Sequence, residues 1–149
     1  MTKQTVERRS GDVCPLRRQP AVRVTSEGGD RLAIRVRGHS MQADQPAADG
    51  GGDTGPTPTE IFVAGLGACI AYYAERFLRR GGLSTEGLEV ACEYDWAENP
   101  HRVGAIDVTV TAPGLTDDRR EAFERVIDHC AVHNTLRHPP AITVGLTAA

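Results

Sequence analysis

"TPTEIFVAGLGACIAYYAERFLRRGG", residues 57–82, is the stretch on which the fold turns. It opens with the T-x-x-E pattern, Thr57 and Glu60, in which each side chain satisfies a backbone N–H that a helix start leaves unpaired. Pro58 suits the first turn, where its missing N–H costs nothing. Gly81 and Gly82 supply the stop. The pattern therefore predicts one long helix carrying Cys69 in its middle. Gly65 and Gly67 lie inside it, each costing about 1 kcal/mol relative to alanine. With Ala64, Ala68 and Ala71 they form a small-residue surface suited to close approach by another helix or a partner subunit.

Upstream, residues 21–45 alternate as strands: "AVRVTS", a turn over residues 27–30, "RLAIRVRG" and "HSMQADQ". In the middle strand Leu32, Ile34 and Val36 share one face, predicted to be core, and Arg31, Arg35 and Arg37 share the other. Residues 46–56, "PAADGGGDTGP", read as a flexible glycine-rich connection. Downstream, residues 88–94 and 103–111 alternate again and predict a strand pair, with Leu88, Val90, Cys92 and Tyr94 on one face and Ile106, Val108 and Val110 on one face. Thr116 then caps a second helix over "DDRREAFERVIDHCAVHNTL", in which Phe123, Val126, Ile127 and Cys130 recur at helical spacing. Pro139 and Pro140 stop it, and "AITVGLT" predicts a last strand. The order βββ-α-ββ-α-β implies an α+β fold, an antiparallel sheet covered by two main helices. Residues 21–149 are expected to form a single domain behind a flexible leader, residues 1–20.

A chain of 149 residues is about one domain long and buries enough surface for an ordinary core. Its hydrophobic fraction of 40%, charged fraction of 25% and net charge of −3 are those of a soluble globular protein and offer no basic face for nucleic acid. The N-terminus lacks the apolar region of a signal peptide. The uncharged stretch from Ile61 to Ala74 falls short of the roughly 20 residues a bilayer requires. A cytoplasmic protein, not inserted in a membrane, is expected. Cys14, Cys69, Cys92 and Cys130 are scattered without a C-x-x-C pair, which suggests neither a zinc ribbon nor a secreted disulfide framework.

Two helices on one sheet are neighbours, so Cys69 and Cys130 have a route to each other; the alternative is that both are small buried hydrophobes. "GPTPTEIFVAGLGAC" leading into a helix, and "HCAVHNTL" near the end of a second, resemble the two cysteine motifs of the OsmC/Ohr family of thiol-dependent peroxidases. The likeness extends over residues 21–147, element order included. It implies a peroxidatic Cys69 and a resolving Cys130, acting on organic hydroperoxides in preference to hydrogen peroxide in the service of oxidative stress defence. It also implies an intertwined homodimer with shared active sites, and an external dithiol, lipoyl-type or other, in place of any bound cofactor or metal. No flavin, haem or nicotinamide fingerprint is present.

An ordinary cysteine, with a pKa near 8.5, is only slightly ionised at neutral pH. Cys69 lies about three turns into its helix, past the reach of the macrodipole, so a nearby cation is required. In the family an arginine steadied by a glutamate arrives from the other subunit. Glu60 and Arg37 are the candidates here, with Arg31 as an alternative cation. Glu60 is nine residues from Cys69, about 13 Å along a straight helix, too far for contact within one chain. The sequence departs from the well-known peroxidase branches in two ways: their acid follows the proline directly, where Thr59 stands, and no arginine occupies residues 46–59. A non-catalytic member binding a small ligand at the subunit interface is one competing reading. A metal site using His129, Cys130 and His133 is another. Cys14 and Cys92 are expected to be bystanders.

Overall fold

The computed structural model describes residues 19–147. Most of the leader, with Cys14, lies outside the described residues. The elements are β1 (Val22–Gly28), β2 (Arg31–Val36), β3 (His39–Ala43), α1 (Pro58–Arg80), β4 (Glu89–Ala97), β5 (Arg102–Thr111), α2 (Arg120–Asp128) and α3 (Ala131–Arg137). The α+β class and the antiparallel pairing agree with the sequence expectation. The strands form two separate sheets, β1-β2-β3 and β4-β5.

α1 begins and ends as its sequence dictates. The Thr57 hydroxyl accepts from the Glu60 N–H at 3.1 Å, and the Glu60 carboxylate accepts from the Thr57 N–H at 2.7 Å. At the other end Gly82 takes φ +68°, a conformation that side chains disfavour. The helix lies against β4, β5, α2 and α3. In the β4-β5 register Val90, Cys92 and Tyr94 stand opposite Val110, Val108 and Ile106, so both apolar sets share one face, as their alternation requires. Two buried clusters result. Leu66, Ile70 and Cys130 form one, and Ala74, Leu78 and Phe123 form the other, where the Phe77 and Phe123 rings meet edge to face at 5.5 Å.

The apolar face of the first sheet, expected to be core, is not covered by the described residues. Val22 faces Val36, Val24 faces Ile34 and Ile34 faces Met41, so these side chains share a side. β1, β2 and β3 pack on one another and only marginally on the rest, leaving Val22, Val24 and Met41 exposed. α1 likewise keeps an open apolar side. By length and composition it could cross a membrane, and 33% of that apolar window is buried in this fold.

Three further expectations are corrected. The last strand does not form: residues 141–147 take no regular structure, and Ile142, Val144 and Leu146 are 84%, 90% and 96% exposed. A lone extended segment has no ladder partner to satisfy its backbone. The second helix is broken at residues 129 and 130, where Cys130 adopts an extended ψ of 142° and α3 starts afresh. The connection after β3 is tied down. Asp44, 1% exposed, accepts from the N–H groups of Gln45, Gly52 and Thr54 and from the Thr54 hydroxyl at 2.7 Å. A Cβ at Gly55 would sit 2.7 Å from the Gln42 carbonyl oxygen, so glycine lets this loop close against the end of β3.

Candidate active site

Cys69 and Cys130 meet. Cys69, half-buried on α1, packs against the cluster formed by Leu66, Ile70 and Cys130. Cys130 is fully buried. Burial pushes its pKa up from the ordinary thiol value, and the adjacent Cys69 sulfur pushes it further in the same direction. The His133 N–H, donating to the Cys130 Sγ at 3.2 Å, acts the other way but is outweighed. Cys130 is thus the buried member of the pair, and Cys69 the one that solvent reaches.

The break between α2 and α3 creates this geometry. Cys130 is the N-cap of α3, its sulfur standing where a serine or aspartate oxygen usually accepts the orphan N–H. Asp128 holds the two helices together. Its carboxylate receives both Arg137 nitrogens, at 2.9 and 3.0 Å, and lies 3.5 Å from His133 Nδ1. The Arg137 hydrogen bond is the largest of the influences that lower the Asp128 pKa. Sequence periodicity missed this clamp, because an uninterrupted helical pattern runs through residues 120–137. The local signal was the Asp128 to Arg137 pairing of charges across a cysteine that can cap.

Gly67 explains one of the two interior glycines. A Cβ there would lie 3.1 Å from the Cys92 sulfur, so its absence lets β4 press against α1. Burial pushes the Cys92 thiol up in pKa. Gly65 faces open space with nothing within 4 Å. Along that outer side Phe62, Gly65, Cys69 and Tyr72 follow one another at helical spacing, and Phe62 and Tyr72 are exposed. A groove of about 600 Å³ beside Leu66 and Ile70 has an apolar floor that includes Ile106, Val108 and Ile127 and a charged rim that includes Glu124, Arg125 and Asp128.

Glu60 and Arg37 are not brought to Cys69 within the chain. Glu60 is exposed at the N-terminus of α1 and completes the capping box. Arg37 is exposed in the β2-β3 turn at φ +54°, on the sheet that barely touches α1. Arg31 starts β2 and is exposed on the same sheet. The imidazoles beside Cys130 are turned elsewhere. His129 Nδ1 lies 2.6 Å from the Arg125 carbonyl oxygen, and His133 leans toward Asp128. Among the described residues no group of three or more His, Cys, Asp or Glu side chains is placed to hold a metal ion.

Known proteins resemble this arrangement at the level of fold. A crystal structure from Psychrobacter arcticus 273-4, provisionally described as an osmotic stress induced and detoxification response protein, superposes with a TM-score of 0.71 at 19% identity, covering 80% of this chain and 90% of that one. The organic hydroperoxide resistance protein OsmC of Legionella pneumophila gives 0.59 at 19% identity, over 78% of this chain and 89% of that one. The organic hydroperoxide resistance protein OhrB of Bacillus subtilis gives 0.55 at 20% identity, over 80% and 92%. No curated protein matches the chain. The OsmC-like protein family model matches residues 50–145, which hold α1, both meeting thiols and the α2–α3 break, and the chain therefore belongs to the OsmC-like family.

Proposed function

We propose that this protein is a thiol-dependent peroxidase that reduces organic hydroperoxides to alcohols in a reducing cytoplasm, as part of oxidative stress defence. The observation that carries the reading is the contact between a solvent-reachable Cys69 and a buried Cys130. The Cys69 thiolate attacks the distal peroxide oxygen; the O–O bond breaks, and the departing alkoxide takes up a proton to leave as alcohol. Cys69 is then a sulfenic acid. The Cys130 sulfur attacks it, the S–O bond breaks, and the hydroxide leaves as water with the thiol proton. An external dithiol reduces the Cys69–Cys130 disulfide and is itself oxidised to a disulfide.

The exposed surfaces support a homodimer as the working form. The open face of β1–β3, the outer side of α1 and the alternating Ile142, Val144 and Leu146 leave large apolar side chains exposed, the kind of surface a partner subunit covers. Both sheets also end in unpaired strand edges. Association would place a partner over Phe62, Gly65, Cys69 and Tyr72, forming the apolar cleft that favours organic hydroperoxides. It would also allow Arg37, or Arg31, and Glu60 to act on the other subunit's thiol. Because neither lies near Cys69 within one chain, a member that binds a ligand without turnover is the second reading.

The test is steady-state consumption of cumene hydroperoxide and of hydrogen peroxide with dihydrolipoamide, dithiothreitol or a monothiol as reductant. Catalysis predicts rapid dithiol-supported turnover that Cys69→Ser abolishes, with cumene hydroperoxide preferred. Slow stoichiometric oxidation supports the binding reading, and equal use of hydrogen peroxide removes the assigned preference. Sedimentation reads the subunit number directly.

A further inference from the structure

Away from the thiols, α1 and α2 enclose a hollow of about 460 Å³ lined by Tyr73, Arg76, Phe77, Arg80, Arg119 and Val126, with Gly81 at its end. A second hollow of about 490 Å³ shares Tyr73, Phe77 and Val126 and adds Ala122, Arg125 and His129. The two form one groove with an apolar and aromatic floor and a rim of guanidinium groups. Each volume falls within the range of small-molecule sites.

Two of the four rim arginines, Arg76 and Arg80, lack an ion partner among the described residues. Neither hollow has a carboxylate in its lining, although the chain as a whole carries −3. Neighbouring arginines find acids: Arg79 pairs with Glu75, Arg119 with Asp118 and Arg125 with Glu121. Arg76 and Arg80 make no ion pair among the described residues, and Arg76 instead donates to the Tyr72 hydroxyl at 3.3 Å, which holds it along the helix. A guanidinium beside an aromatic floor presents a planar donor fork for a carboxylate and a surface on which an apolar body can stack.

We propose that the α1–α2 groove binds a small organic carboxylate. Its head sits between Arg76 and Arg80, and its apolar body lies on Tyr73, Phe77 and Val126. The site is distinct from the thiol pair, and its occupancy does not depend on peroxide chemistry. It stands beside that pair all the same: Tyr73 also packs on the Cys69–Cys130 cluster, and His129 immediately precedes Cys130.

The test is titration of the reduced full-length protein with 2-naphthoate, followed by calorimetry and by amide chemical shifts, with 2-naphthamide as the neutral isostere. Saturable naphthoate binding is expected, with the largest shifts at residues 73–81 and 119–129 and a loss of affinity with added salt. Removing charge-assisted hydrogen bonds in the Arg76→Ser/Arg80→Ser double variant is expected to weaken binding about tenfold or more. Ala122→Glu, which adds a carboxylate to the groove and leaves the arginines in place, is expected to weaken it as well. The proposal is overturned if naphthoate does not bind, if naphthamide binds equally well, if the double variant or Ala122→Glu retains full affinity, or if the shifts map elsewhere.

Discussion

Replacing Cys130 separates its two roles, because the same sulfur caps α3 and stands against Cys69. In Cys130→Ser the hydroxyl can still accept from the His133 N–H, so the cap survives. Because that hydroxyl stays paired, the variant is spared most of the about 1–3 kcal/mol that an unpaired buried hydroxyl costs. The net loss is about 1 kcal/mol. Cys130→Ala forfeits the cap, about 1 kcal/mol, and leaves a void beside Leu66 and Ile70 costing about as much again. For a domain of this size each kcal/mol lowers Tm by roughly 2–4 °C, so the alanine variant should melt below the serine variant by about that amount. Both variants lack the second thiol. After one equivalent of cumene hydroperoxide, intact mass should show a disulfide in the wild type. In either variant it should show one added oxygen that dimedone traps on Cys69. Equal melting of the two variants would refute the capping argument. A trapped oxygen on another residue, or a wild type that forms no Cys69–Cys130 bond, would refute the redox one.

Four further outcomes follow from the structure. Hydrogen bonds led by that from the Thr54 hydroxyl hold Asp44 below the usual carboxylate range, so its contribution is present above the unfolded pKa, about 3.9, and is lost as pH falls through the lower folded value; denaturant melts of Asp44→Asn should therefore lie well below wild type at neutral pH and converge with it in acid. Asp128→Asn should release α3 and slow disulfide formation several-fold in quenched-flow mass spectra while leaving the rate of Cys69 oxidation unchanged; equal slowing of both steps would contradict a positioning role. Gly67→Ala gains about 1 kcal/mol of helix propensity but drives a methyl against Cys92, an overpacking cost of about 1–3 kcal/mol, so its Tm should fall. Gly65→Ala, with open space around it in the chain, should leave the fold intact and weaken self-association measured by sedimentation.

The helix at residues 58–80 was legible because its signals are local: a capping box spans one turn, a terminal glycine needs only its own φ, and both operate whatever packs outside. Strand alternation was legible for the same reason, since the pleat places every second side chain on one face, and the β4-β5 register bears it out. The two cysteine motifs pointed to the thiols that meet. Local periodicity could not show that the second helix stops at Cys130, because packing against Cys69 and the Asp128–Arg137 clamp make that break, and both are contacts between residues the pattern treats as independent. Asp44 was likewise hidden: its partners lie up to ten positions along the chain, and only loop closure converts a strand-end aspartate into a buried anchor. The chain's own sequence determined where α1 begins and ends and which faces of β4 and β5 are apolar. Tertiary structure alone decided that Cys130 is buried and that Cys69 packs beside it. It also left the strand-like residues 141–147 without a ladder, because burial and backbone pairing are properties of what surrounds a residue.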